Sequence, residues 1–307
     1  MTSPAPAGVR ASRLGVLAVL TAVLGWSFMN TIPKITHIPA VTFAFYRLWL
    51  GGAAMVITLA AARRRLTWPV LKSSVPAGVL FGLNVTLFLS ALKATSVADV
   101  LVIGALQPAL IQLVAGPLFG ERVTRFEVSW TAVSVAGVAA VVIGSSGTPV
   151  WGLRGDVLAV GSLLMFTTYF LLSKRARATV QAIEYMTAVT LTAAVVVTPV
   201  ALLSGQSLGG LRTADWLWLL LFVTGAQGGH ILLAWAHPQV DVSVSSLFVL
   251  AEPIVSSVAA LVVLGEPLTG LEIAGGLVAV ASVAVIVRRA TRTARAEHLA
   301  AQEPEPA

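Results

Sequence analysis

Two ionisable side chains stand where hydrocarbon is expected. Glu252, followed by Pro253, lies inside one long apolar run, and Arg47 lies inside another. Charged groups there are costly and are kept where they face a cavity or a partner. Glu252 is about ten residues into its run, which at ~1.5 Å per residue is ~15 Å deep, the middle of a hydrocarbon core ~30 Å thick. A carboxyl group at that depth can carry a proton or recognise an ammonium group, which makes Glu252 the proton-coupling candidate. It can equally be a structural carboxylate bonded to backbone that Pro253 frees, because proline removes a helix donor. Gln107, before Pro108, takes the matching place in another run and cannot titrate. Arg47 is about seven residues into its run, ~11 Å deep. It is a candidate for a buried ion pair with Glu252, or for bidentate binding of a substrate carboxylate. The plainer alternative is a packing anchor tied to backbone carbonyls.

Uncharged polar groups extend the set. His230 titrates near neutrality and can relay protons, although a lone histidine in an apolar helix is more often simply hydrogen-bonded to a neighbour. Gln227 precedes it by three residues, and Asn84 has the character of a cavity hydrogen-bonder. Trp26, Asn30 and Tyr169 complete the substrate-cavity candidates, the aromatics offering cation–π or apolar contact; helix packing is the competing reading for Trp26. Glu121 and Glu266 fall at the ends of runs, where water solvates them. Thr124 with Glu127, and Thr269 with Glu272, have the spacing of capping boxes. These six are read as structural. No phosphate-cradling loop, no His-Glu-x-x-His motif and no cluster of aspartates is present, so neither catalysis nor a metal or cofactor is expected.

The elements that position these residues follow from composition. Of 307 residues, 57% are apolar and 11% charged, against about 45–50% and about 25% in soluble domains. A mean hydropathy of +0.90 excludes a soluble enzyme or a disordered chain and points to an all-α polytopic membrane protein. A span needs about 20 apolar residues, and ten runs qualify, near 14–33, 40–61, 75–93, 97–119, 126–145, 155–173, 181–203, 215–235, 242–264 and 270–287. Continuous rather than alternating runs argue against a β-barrel.

The net charge of +7 has a topological meaning. With the N-terminus inside, the inner segments hold fifteen of the 20 Lys and Arg residues and the outer loops four, leaving Arg47 in a span. That bias predicts both termini in the cytoplasm and removes the case for nucleic-acid binding. Segments 1–13 and 289–307 read as cytoplasmic tails, the latter disordered after Arg295, where Glu297, Glu303 and Glu305 gather.

The chain also resembles itself. A shift of 145 places Gln107-Pro108 on Glu252-Pro253, Gly120-Glu121 on Gly265-Glu266, Thr124 on Thr269 and Glu127 on Glu272. Five runs per half, 14–147 and 148–288, insert the halves in opposite directions. This is the inverted repeat of many secondary transporters, whose site lies near the midplane.

Gly25-Trp26-Ser27, Tyr46-Arg47, Ala91-Leu92-Lys93, Pro108 and Gly120-Glu121, with Glu252-Pro253 and Gly265-Glu266 in the second half, together resemble the EamA-type family of the drug/metabolite transporter superfamily. The resemblance implies a ten-helix plasma-membrane carrier with a central cavity, exporting an amino-acid-like or drug-like metabolite. The expected partners are the lipid bilayer and that small molecule. An intramembrane enzyme and a non-transporting scaffold are the rival classes, and the sequence offers neither the reactive cluster that the first needs nor a sign of oligomeric state.

Overall fold

The computed structural model describes residues 12–30, 32–95, 97–121, 123–146, 152–264 and 268–300. Residues 1–11 and 301–307, Glu266 and the boundary between the halves at 147 and 148 lie outside the described residues. The helices are α1 (Arg13–Met29), α2 (Ile32–Ile35), α3 (Ala40–Ala61), α4 (Trp68–Ala94), α5 (Val97–Gly104), α6 (Gln107–Phe119) and α7 (Arg125–Ser146). After them come α8 (Leu153–Ala176), α9 (Ala182–Leu203), α10 (Thr213–Ala236), α11 (Val242–Leu247), a 3-10 turn (Phe248–Ala251), α12 (Glu252–Leu264) and α13 (Gly270–Ala300).

Among the described residues, eight spans are long and apolar enough to cross a membrane, and the shorter apolar helices Arg13–Met29 and Gly270–Ile286 are further candidates. Eight of the ten expected runs thus correspond to such spans, and 14–33 and 270–287 to the two shorter apolar helices. The last helix runs on through Ala300. Arginine and alanine are strong helix formers and prolong a helix already nucleated in the span.

Two expected spans are broken. Run 97–119 divides into α5 and α6 at Ala105-Leu106, and run 242–264 divides at the 3-10 turn before Glu252. Each break immediately precedes the Gln-Pro or Glu-Pro pair. Proline removes an N–H from the helix ladder and disfavours α geometry in the residue before it. The repeated proline thus makes repeated breaks, at positions the 145-residue shift superposes.

The closest helix pairings join one half to the other: α1 with α10, α4 with α8, α3 with α9 and α7 with α13. With the expected spans counted one to ten, one on eight and three on six are images of each other under exchange of halves. Two on seven and five on ten are their own images. At the last crossing Ser134 Oγ donates to the Ala279 carbonyl at 3.3 Å, across a sequence separation of 145. A residue touching its own repeat image marks where a pseudo-two-fold axis passes.

The same crossing depends on missing side chains. A Cβ on Gly275 would lie 2.6 Å from the Gly137 carbonyl oxygen, and one on Gly137 would lie 2.7 Å from that of Gly275. Helices in lipid approach closely where small residues meet. Gly275→Val is expected to destabilise the protein by about 1–3 kcal/mol through overpacking, read as a lowered Tm of the detergent-purified protein. Gly228→Ala, where a Cβ meets nothing within 4 Å, should leave Tm unchanged or raised. Equal Tm values for both variants would refute the close crossing.

Candidate functional site

A cavity of about 110 Å3 lies between the two halves. One water needs ~10–15 Å3 on the same measure, so the space takes several waters or a small organic solute. Its wall is built from α1, α3, α4, α5 and α6 of the first half and from α8, α10, the 3-10 turn and α12 of the second. Both helix breaks reach it, through Gly104, Ala105 and Gln107 on one side and Val249, Glu252 and Pro253 on the other.

Six expected cavity residues line it: Trp26, Asn30, Asn84, Gln107, His230 and Glu252. Two hydrogen-bonded links cross between the halves. Asn30 Nδ2 donates to Glu252 Oε1 at 2.5 Å. Asn84 Nδ2 donates to the Ser162 carbonyl at 3.1 Å and to Ser162 Oγ at 2.9 Å. Glu252 is therefore held by the side chain that caps the C-terminus of α1. Other polar atoms have no protein partner although fully enclosed: Trp26 Nε1, both amide atoms of Gln107 and His230 Nδ1. Such groups cost about 1–3 kcal/mol each when left unsatisfied.

Two expected residues do not reach the cavity. Gln227 Nε2 donates to Thr190 Oγ1 at 3.0 Å, filling the seam between α10 and α9. The Tyr169 hydroxyl donates to Met186 Sδ at 3.7 Å, while its ring packs against Phe81 behind the wall. Arg47 does line the cavity, but the expected ion pair with Glu252 is corrected. Its guanidinium lies over the rings of Phe222 and Phe81, 5.1 and 5.6 Å from their centroids, and its Nη2 meets His230 Nε2 at 3.4 Å. The aromatic seat holds it away from the carboxylate.

That contact also limits His230. A guanidinium only donates, so Nε2 accepts and the ring is the neutral Nδ1–H tautomer. A protonated ring would set two cations in contact, so the proton-relay role is not supported. Trp26, 5.3 Å away between ring centroids, and Phe81, 4.8 Å away, enclose it instead.

The end of the bundle where α1 begins is tied across the halves by hydrogen bonds. Ser12 N donates to the Gln239 carbonyl at 3.2 Å, which places the α10–α11 connection at that end. Three charged side chains clamp this connection. Lys174 Nζ donates to the carbonyls of His237 at 2.6 Å and Val240 at 2.5 Å. Arg177 Nε donates to the Ala234 carbonyl at 2.6 Å. Glu121 accepts from Val242 N at 2.7 Å, Ser243 N at 3.0 Å and Ser243 Oγ at 2.7 Å. Burial, with Lys174 and Arg177 beside it, holds His237 well below the ordinary imidazole range, so it adds no charge to the clamp.

The Gly-Glu pair thereby gains a physical reason. Gly120 ends α6 in the left-handed conformation, φ 69°, which costs glycine no Cβ clash. The turn aims Glu121 at the first N–H groups of α11, where a carboxylate satisfies orphan donors and complements the helix dipole. Solvation by water at a span end, the sequence expectation for Glu121, is thus replaced by a cap across the halves. Thr124 and Glu127 form a reciprocal capping box at the start of α7, with Thr124 N to Glu127 Oε2 at 2.6 Å and Glu127 N to Thr124 Oγ1 at 3.3 Å. Thr269 and Glu272 do the same for α13, at 2.6 and 3.2 Å.

Sequence reasoning missed Ser162, Phe166 and Phe222 in the wall. A serine or phenylalanine in an apolar helix carries no sign of which side it faces. The one available signal was the repeat: α8 and α10, which carry them, are the repeat partners of α1 and α4, the helices that Trp26 and Asn84 had already marked.

Comparison with known proteins covers both halves. The family model described as EamA-like transporter family matches residues 13–143 and 153–288. A solved structure described only as the crystal structure of a protein superposes with a TM-score of 0.77 at 22% identity, covering 92% of this chain and 99% of the other. That likeness speaks for the fold. No curated protein matches the chain.

Proposed function

This chain belongs to the EamA-like transporter family, and from that premise we propose that it is a secondary carrier exporting a small organic metabolite across the plasma membrane by alternating access, with Glu252 as the proton-coupling residue. The observation that carries the reading is the cavity: both halves wall it, and both broken helices meet it at their breaks. Discontinuous helices at a repeat interface are where secondary transporters bind substrate and coupling ion.

Two features support alternation. The bonds from Asn30 to Glu252 and from Asn84 to Ser162 span the halves, so rocking one half against the other makes or breaks them. The enclosed, unpartnered atoms of Trp26, Gln107 and His230 favour a second arrangement, or a solute, that satisfies them. With the termini cytoplasmic, as the distribution of basic residues argues, the clamped end is the inner one. The direction of export rests on the family resemblance.

The test is counterflow in liposomes. Vesicles holding the purified protein are loaded with an unlabelled panel of amino acids, organic acids and amines, and labelled members are then added outside. A carrier gives trans-stimulated, saturable uptake of at least one compound. Equal uptake by protein-free vesicles across the panel contradicts the carrier reading and leaves a scaffold.

A further inference from the structure

Arg47 is the one basic side chain of 20 that the distribution along the chain leaves inside a span. It is 9% exposed, lines the cavity and forms no ion pair with a described carboxylate. The ion pairs found among the described residues, Arg64–Glu184 and Arg212–Asp215, lie elsewhere. Among the described residues, what surrounds its guanidinium is neutral: the faces of Phe81 and Phe222, and the Nε2 of a neutral His230. Phe222 is itself wedged edge-on against Phe43, with ring centroids 5.0 Å apart, so the seat is firm.

Ring faces attract a cation but do not cancel its charge. A buried cation with no counter-charge is strongly disfavoured, so such groups are found paired. We infer that the counter-charge is brought by the solute: the cavity takes a small organic monocarboxylate, held by the planar fork of Arg47 through two parallel hydrogen bonds. The inference rests on the carrier reading of this same cavity and adds the substrate class to it.

The rest of the wall narrows the choice. Leu101, Leu163, Phe166 and Phe222 line the cavity and suit an apolar body rather than a sugar or polyol. One guanidinium neutralises one negative charge. A dianion such as phosphate would bring a second charge into a space that Glu252 shares. Carboxylate geometry matches the guanidinium fork in the plane, and a spherical halide cannot use it.

The experiment compares compounds that differ only at the charged end. Hydrocinnamate, hydrocinnamamide and phenethylamine, and 4-methylpentanoate with its amide, are titrated against the full-length protein in detergent. The readouts are Tm and calorimetric Kd, with sodium chloride and inorganic phosphate as further probes. The expected result is that the acids bind and raise Tm, and that the amides bind about tenfold or more weakly, the range for a lost charge-assisted hydrogen bond. Arg47→Gln should erase the preference for acids. Arg47→Lys, which keeps the charge but not the fork, should hold an intermediate one.

Equal binding of acid and amide by the wild type overturns the inference. So does an acid preference that survives Arg47→Gln, the absence of any acid binding, or an equal effect of chloride or phosphate. If Arg47→Gln does not purify as a monodisperse species, the wild-type comparison and Arg47→Lys decide. Acid binding without liposome transport contradicts the carrier reading alone. Transport of amides or amines that is indifferent to Arg47 contradicts this inference alone.

Discussion

Glu252→Gln should abolish proton-driven, uphill transport while leaving one-for-one exchange of labelled substrate within about an order of magnitude of the wild type. The substitution keeps shape and keeps an oxygen that accepts from Asn30 Nδ2, now 2.5 Å from Glu252 Oε1, so the wall should survive. What it removes is a group whose charge changes when a proton binds. Glu252 is suited to that task by its place at the break before α12, in the cavity wall and touching the opposite half. Its repeat image, Gln107, cannot share the work. The measurement is accumulation in proteoliposomes under an imposed pH gradient, beside exchange at uniform pH. Full accumulation by the variant would show that Glu252 is structural. Loss of exchange together with accumulation would show that the wall itself had failed.

Glu121→Ala should release the clamped end. The carboxylate accepts three hydrogen bonds at the start of α11, and losing charge-assisted bonds of this kind costs about 2–3 kcal/mol net. At 1.4 kcal/mol per factor of ten, the closed-to-open ratio falls about 30- to 150-fold. The chain has no cysteine, so a single introduced thiol reports without background. Ser245 is fully buried behind the clamp, and Ser245→Cys is close to isosteric. In inside-out vesicles, thiol labelling at position 245 should rise at least about tenfold when Glu121→Ala is added. An unchanged rate would mean that Lys174 and Arg177 hold the end without Glu121.

What the sequence disclosed and what it withheld divide along a physical line. Local and periodic features were legible. The run 40–61 is the helix Ala40–Ala61, because length and hydropathy alone define a span. The Thr-x-x-Glu boxes form because their partners are three residues apart. The repeat was legible, and with it the family and the place of the cavity. The faces of the helices were not. A helix apolar on every side has no stripe to show which flank looks inward. Tyr169 and Gln227 were therefore placed in the cavity, whereas they pack behind it, and Ser162 and Phe222 were passed over. Arg47 depended on side chains from α4 and α10 that only tertiary packing brings beneath it. Glu121 looked like a solvated helix end, since nothing near it in the chain foretells α11 as its partner.

Alternating access to one cavity between the two halves is the central claim, and Gly104→Cys tests it most directly. Gly104 lines the cavity at the end of α5, and a Cβ added there meets nothing within 4 Å. A membrane-impermeant thiol reagent is applied to right-side-out and to inside-out vesicles, with and without Glu121→Ala. The account expects the wild-type background to be labelled from outside, and the Glu121→Ala background to gain labelling from inside while losing it from outside. Labelling from a single side in every background, or from both sides at once with no such trade, would contradict it.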